Sequence, residues 1–204
     1  MSKLTGKQKA RARKKKQRSE KQQKAKYYAQ LKSRILLWDA SGLNEDCIDL
    51  TQQDDCEKIA HDLTRILAVT DNGVGLSAPQ IGIHKRVFVM RPDHKKNLIK
   101  ILINPKIIKN SEEEFTMMEG CLSYPGIYCS IERPRTIKLE YYDEKWRRRE
   151  ESFSSLSSRV IQHEVEHFIP YRCQVGDYWR KMKFIKSQKT EEQPKIEEGS
   201  PALQ

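Results

Sequence analysis

The 204-residue sequence has no apolar run near the roughly 20 residues a membrane-crossing helix needs, and its start lacks the apolar core of a secretory signal. A soluble, non-secreted protein is therefore expected. Its five cysteines, Cys47, Cys56, Cys121, Cys129 and Cys173, are odd in number and irregularly spaced, with no CxxC pair. That excludes a disulfide framework and favours a reducing compartment. Internal repeats are not evident, and the length suits one domain. Acidic residues are nearly missing from the start: residues 1–34 carry 14 Lys or Arg and one acid, Glu20, leaving 25 bases and 27 acids for the rest. From Lys7 to Lys26 there is no proline and almost no apolar residue, so a disordered tail or a solvated helix is expected over 1–34. Such a tail invites contact with nucleic acid through phosphate neutralisation. Residues 186–204, rich in Lys, Glu and Gln, are expected to form a second disordered tail around a domain spanning 35–185.

The residues that carry chemistry begin with Gln162-His163-Glu164-Val165-Glu166-His167. On a helix, positions i and i+4 share a face, so His163 and His167 can both turn a ring nitrogen to one cation. Glu164, about 100° further round, would flank that ion and could take a proton from a metal-bound water. A catalytic site of this type needs a third protein ligand and an open fourth position. Downstream candidates are weak. The position that is Gly in one class of metallopeptidase is Pro170, which cannot readily supply the φ > 0 that a Gly turn often uses, and the third-His position is Cys173. Glu191 and Glu192 lie in the polar tail. Upstream, Glu119-Gly120-Cys121-Leu122-Ser123 offers a thiolate, and one thiolate with two imidazoles suits Zn²⁺ or Fe²⁺.

A third segment is Gly73-Val74-Gly75-Leu76-Ser77-Ala78-Pro79-Gln80. Its glycines allow close backbone approach, and the Gln80 amide offers an N–H₂ donor for an oxyanion. It fails as a phosphate loop, having no Lys-Ser/Thr at its end.

The three segments GVGLSAPQ, EGCLS and QHEVEH, in this order, resemble the signature motifs of peptide deformylases, and the likeness covers roughly residues 35 to 180. The resemblance implies an α+β fold, mostly antiparallel strands around a central helix carrying the metal site. It implies removal of the formyl group from the N-terminal methionine of nascent polypeptides, with Fe²⁺ or Zn²⁺ as cofactor and Ni²⁺ or Co²⁺ as substitutes. Carried over position by position, Cys121, His163 and His167 would ligate the metal and Glu164 would be general acid/base. Gln80 and the Leu122 backbone N–H would receive the oxyanion. Val74 and Gly75 would pair with the substrate backbone in β fashion, and Met117, Glu119, Gly120, Leu156 and Val160 would contribute to substrate binding. Metal-bound water would attack the formyl carbon.

Departures from the family pattern carry expectations of their own. Glu166 stands where the family has Asp, and is expected to pair with Arg133 and orient the ligand helix. Pro170 should end that helix by about Ile169, leaving His167 in its last turn. Ser77 adds a hydroxyl near the site. Arg159 lies one turn before His163, where the family has an apolar residue in the methionine pocket; it either snorkels outward or faces the pocket and weakens the preference for methionine.

Elsewhere, Ile59, Leu63, Ile66 and Leu67 predict an amphipathic helix over 54–68. Strands are expected at about 86–90, 99–103, 114–118, 127–132 and 135–142, with Ser155 or Ser157 capping the metal-site helix. Tyr178 and Trp179 are expected to cover that helix. For partners, the sequence suggests formyl-Met peptides and ribosomal RNA, the latter through residues 1–34, with no membrane and a monomeric state. The expected location is the cytoplasm of a bacterium or a phage-infected host, with an organelle as the alternative. The competing readings are a metallopeptidase built on His163 and His167, disfavoured by the weak downstream ligands, and an RNA-binding protein with a degenerate metal site, disfavoured by the intact Glu164 and Gln80.

Overall fold

The computed structural model describes residues 6–70, 72–92 and 98–181. Helix α1 (Gly6–Lys32) is followed by α2 (Cys56–Ala68), then β1 (Gly75–Ser77), β2 (Val87–Met90) and β3 (Lys100–Asn110). After them come β4 (Glu114–Cys121), β5 (Tyr124–Pro134), β6 (Thr136–Tyr142), β7 (Arg148–Ser154) and α3 (Ser155–Glu166). The strands form an antiparallel five-stranded sheet, β1-β2-β3-β6-β7, and a separate β4-β5 hairpin. The class is α+β, as expected.

Strand β2 shows how sequence places the core. Successive side chains point to opposite faces, and all four of Val87-Phe88-Val89-Met90 are fully buried. Val87 and Val89 join Leu63, Ile66 and Leu67 of α2, whereas Phe88 and Met90 join Val160 and Ile161 of α3. The sheet is thus covered on both faces, and a continuous apolar run is what that requires. Helix α2 starts where Asp55 accepts a 3.0 Å bond from the Lys58 N–H, the usual N-cap arrangement.

Several sequence expectations need correction. The segment 1–34 is not a disordered tail where described: α1 is a helix whose residues 13–30 are all exposed, held at its end by buried Leu31 and by Arg65 over the Tyr27 ring at 5.4 Å. Lys, Arg, Gln and Ala are strong helix formers, so this is the solvated-helix alternative. Strand β3 does not stop at 103. It passes through Asn104-Pro105 on a bulge, where Asn104 takes φ 49° and its amide bonds both Leu50 N and Leu50 O at 2.8 Å; a bulge is where a strand tolerates proline. Strand β7 was unforeseen because Arg148-Arg149-Glu150-Glu151 has no apolar alternation, and β1 because it is three residues inside a Gly-rich stretch.

Neither Ser155 nor Ser157 caps α3. The cap is Ser154, without a side-chain bond, while Ser157 donates to Pro92 O and Ser158 to Pro134 O, each at 3.2 Å. Helix α3 ends at Glu166 with His167 as its C-cap, close to the stop expected from Pro170. Trp179 does not cover α3. It stacks on Trp38 at 4.2 Å and lies 6.1 Å from the Tyr124 ring, while Tyr178 is exposed. The expected 186–204 tail lies outside the described residues. Among the described residues no helix is long and apolar enough to cross a membrane.

Candidate metal centre

Four elements meet at one end of a cleft of about 510 Å³ lined by residues of β1, β4, β5 and α3. The side chains expected to hold a metal come from three places: Cys121 at the end of β4, His163 on α3 and His167 at its C-cap. All three are buried, and Cys121 Sγ lies 3.3 Å from His167 Nε2. The two imidazoles are 5.2 Å apart between centroids. Helical i, i+4 spacing brings them together, and the hairpin delivers the thiol from 42 residues upstream of His163 in sequence.

His163 is oriented from behind. Its Nδ1 donates to Glu119 Oε2 at 3.0 Å, which leaves Nε2 as the nitrogen that could meet a cation. Glu119 also accepts from Arg133 Nε at 2.7 Å and Nη2 at 3.0 Å, and from Arg159. Burial alone would raise the Glu119 carboxyl, but its bonds to His163 and Arg133 outweigh burial and hold it at about 2. The same bond outweighs burial on His163, raising the imidazole to about 9, so a cation would compete with a proton for Nε2. Glu119 lines the cleft as expected, but its carboxylate is turned to these three partners and not to the space a substrate would fill.

The expected Arg133–Glu166 pair is present and bidentate: Nη1 to Oε1 at 2.6 Å and Nη2 to Oε2 at 3.1 Å. Glu166 further accepts from Gln174 N at 3.1 Å and Gln174 Nε2 at 3.0 Å. Arg159 does not snorkel outward. It is 3% exposed, lies 4.3 Å over the Phe115 ring, and donates to Glu119, Ile131 O and Phe115 O while its stem borders the cleft.

Glu164 is buried, and its Oε2 has no hydrogen-bond partner among the described residues. Burial pushes its carboxyl up from the ordinary range, against the pull of the His163 and His167 imidazoles. Gly75 makes room for it, since a Cβ there would lie 2.3 Å from Glu164 Oε1. Gln80 sits in a 3₁₀ turn (Ala78–Ile81) closed by Ser77, whose N–H and hydroxyl each donate to Gln80 Oε1 at 2.9 Å. This fixes the amide, so Nε2 points to Cys121 Sγ at 3.6 Å and Ser123 Oγ at 3.2 Å. The Ser77 hydroxyl expected near the site is therefore what orients Gln80.

Leu122, Gly120 and Val74 line the cleft, together with half-exposed Met117, Leu156 and buried Val160. Val74 O already accepts from Arg91 N at 2.8 Å. Because bonding direction alternates along a strand, Gly75 presents its N–H and C=O to the edge of β1 that pairs with no other strand among the described residues. An added strand could therefore pair there with Gly75, whereas the Val74 carbonyl is already taken.

Sequence reasoning missed Cys173. It is buried, and its Sγ and the donor atoms of Cys121, His163 and His167 all lie within 4.8 Å of one another. The turn that Pro170 cannot make is made by Tyr171, with φ 59°. The position itself, where one metallopeptidase class has its third His, was the available signal. Contact with Cys121 and the nearby imidazoles lower the Cys173 thiol, while burial raises Cys121.

The donor set fits a divalent metal: soft thiol sulfur and imidazole nitrogen, buried and clustered, beside a carboxylate oxygen with no partner among the described residues. Residues 32–170 match the family model for polypeptide deformylase. The chain belongs to the peptide deformylase family. Relatives agree: the peptide deformylase of Synechocystis is 40% identical over 119 residues, 56% of this chain and 62% of the relative. That of Karelsulcia muelleri is 36% identical over 136 residues, 65% of this chain and 71% of the relative. The chain therefore spans less than two thirds of the Synechocystis deformylase it matches. The crystal structure of Arabidopsis thaliana peptide deformylase 1B superposes with a TM-score of 0.65 at 30% identity, covering 80% of this chain and 95% of that one.

Proposed function

We propose that this chain hydrolyses the formyl group from the N-terminal formylmethionine of nascent polypeptides, releasing formate and a free amine. The observation that carries this reading is the convergence of Cys121, His163, His167, Glu164 and Gln80, from three distant segments, at the end of one cleft. Cys121, His163 and His167 would hold the cation, Fe²⁺ or Zn²⁺, with Ni²⁺ or Co²⁺ able to substitute. When bound, the metal would supply the Lewis acidity that brings the pKa of water down to about 7 and makes a nucleophile available at neutral pH.

The chain's own groups do the rest. Glu164, with its raised pKa and partner-free Oε2, takes a proton from water and returns it to the departing methionine amine. Gln80 Nε2, held by Ser77, and the Leu122 N–H face the charge that builds on the formyl oxygen; one such donor is typically worth about 3 kcal/mol of barrier. The Gly75 backbone pairs with the peptide, and Met117, Leu156 and Val160 receive the methionine side chain. Glu119, Arg133 and Glu166 position His163 and the end of α3.

The basic face of α1 is proposed to contact ribosomal RNA, which would bring a monomeric enzyme to emerging chains in the cytoplasm or an organelle. The enzymatic test is formate release from a formyl-Met peptide by metal-loaded protein. Equal yields of formate and free amine are expected, abolished by a chelator and restored by added metal. No formate from metal-loaded protein would end the proposal.

A further inference from the structure

We propose that Cys173 is a fourth protein ligand of the same metal, completing a Cys₂His₂ donor set at rest and giving up its position when substrate enters. This rests on the metal-site reading above. In a tetrahedral site with ordinary Zn–S and Zn–N bonds, ligand atoms sit about 3.3–3.8 Å apart. The four donors of Cys121, His163, His167 and Cys173 already lie within 4.8 Å of one another, so a small contraction brings all four onto one ion.

Cys173 is held in place by more than local chance. Its neighbour Gln174 is bonded through N and Nε2 to Glu166, which Arg133 grips from the other side. Gly176 packs so closely on Tyr124 that a Cβ there would lie 2.4 Å from the phenol oxygen, and Trp179 stacks on Trp38. The thiol is 6% exposed. The extra methylene of Glu166 relative to the family's Asp lets one carboxylate reach both Arg133 and Gln174.

The consequence is chemical. Three protein ligands leave a position open for water, whereas four close the site, as in structural zinc centres. Glu164 and Gln80 remain poised, so the closed form would be silent but not dismantled. Of the four donors, Cys173 alone is carried by neither α3 nor the hairpin: it stands between the Tyr171 turn and the helical residues 174–181, a segment that can shift without moving the other three.

X-ray absorption on the full-length, Zn²⁺-loaded protein measures this directly, because sulfur and nitrogen scatter differently. Two sulfurs per metal are expected in the wild type, falling to one in Cys173→Ser and in wild type saturated with a formyl-Met peptide. Cys129→Ser, a buried thiol outside the cluster, should keep two. Cys173→Ser should also weaken metal binding about 10-fold or more. One metal bound with a single sulfur in the wild type would overturn the fourth ligand and leave the three-ligand reading standing. Failure to bind one metal per chain would overturn both. If Cys173→Ser does not fold, the wild-type sulfur count still decides.

Discussion

At the scale of single residues, the chemistry is carried by side chains whose partners were only partly visible in sequence. The convergence of His163, His167, Cys121, Glu164 and Gln80 was legible because each proposed role demands a particular residue type at a particular spacing. Arg133 and Glu166 were legible as a pair, but Glu119 as the group holding His163 was not, because nothing in EGCLS says which way a strand residue turns. Cys173 escaped for a backbone reason: its approach depends on Tyr171 adopting φ 59°, a conformation a bulky side chain seldom takes. The buried guanidinium of Arg133 is shared by two carboxylates. Its removal in Arg133→Ala should cost about 1–3 kcal/mol, since Glu119 keeps Arg159 and His163 and Glu166 keeps Gln174, read as a lowered denaturant midpoint of the metal-free protein. Metal affinity should fall with it; unchanged stability and metal content would show that the pair does not position the site. Arg159 borders the cleft proposed to receive the methionine, where the family has an apolar side chain, so Arg159→Leu should raise the kcat/KM ratio of formyl-Met over formyl-Leu peptides. The expected change is severalfold, since about 1 kcal/mol is typical of such pocket contacts. An unchanged ratio would place the selectivity elsewhere.

At the scale of elements, the fold was legible wherever periodicity reflected burial. Helix α2 and strands β2 and β6 match their apolar patterns, whereas β7 is a polar edge strand held by pairing with β6, which no local pattern records. The basic segment is the opposite case: its composition allows either a disordered tail or a helix, and the structure makes it a 27-residue helix that stands in solvent. A helix aligns its cations along a rigid rod, which suits a phosphate backbone better than it suits packing. Deleting residues 1–30 should therefore lower co-sedimentation with ribosomes at low salt and remove most of its salt dependence. Equal binding by both forms would exclude α1 as the contact.

At the scale of the whole molecule, a sheet buried on both faces fixes α3 and the hairpin relative to each other, which brings the three motifs together. Ion pairs tie the loops around it together. Asp54 is an example: the Thr51 N–H, then Lys85 and the Thr51 hydroxyl, hold its carboxyl at about 2 against an ordinary 3.8. A depressed folded pKa means its contribution is complete above about 3.8 and is lost as the pH falls towards 2. Asp54→Asn should accordingly flatten the stability–pH curve between those values without changing its slope above pH 5, as followed by denaturant midpoints. A variant with the wild-type slope would show that Asp54 is not held this way.

The central claim is that Glu164 moves the proton at a metal site made by Cys121, His163 and His167. The direct measurement is formate release by Glu164→Gln and wild type at equal metal content. Loss of about 10²–10⁴-fold in kcat is predicted for removal of a general acid/base, with metal binding retained. Wild-type turnover by Glu164→Gln would contradict the account.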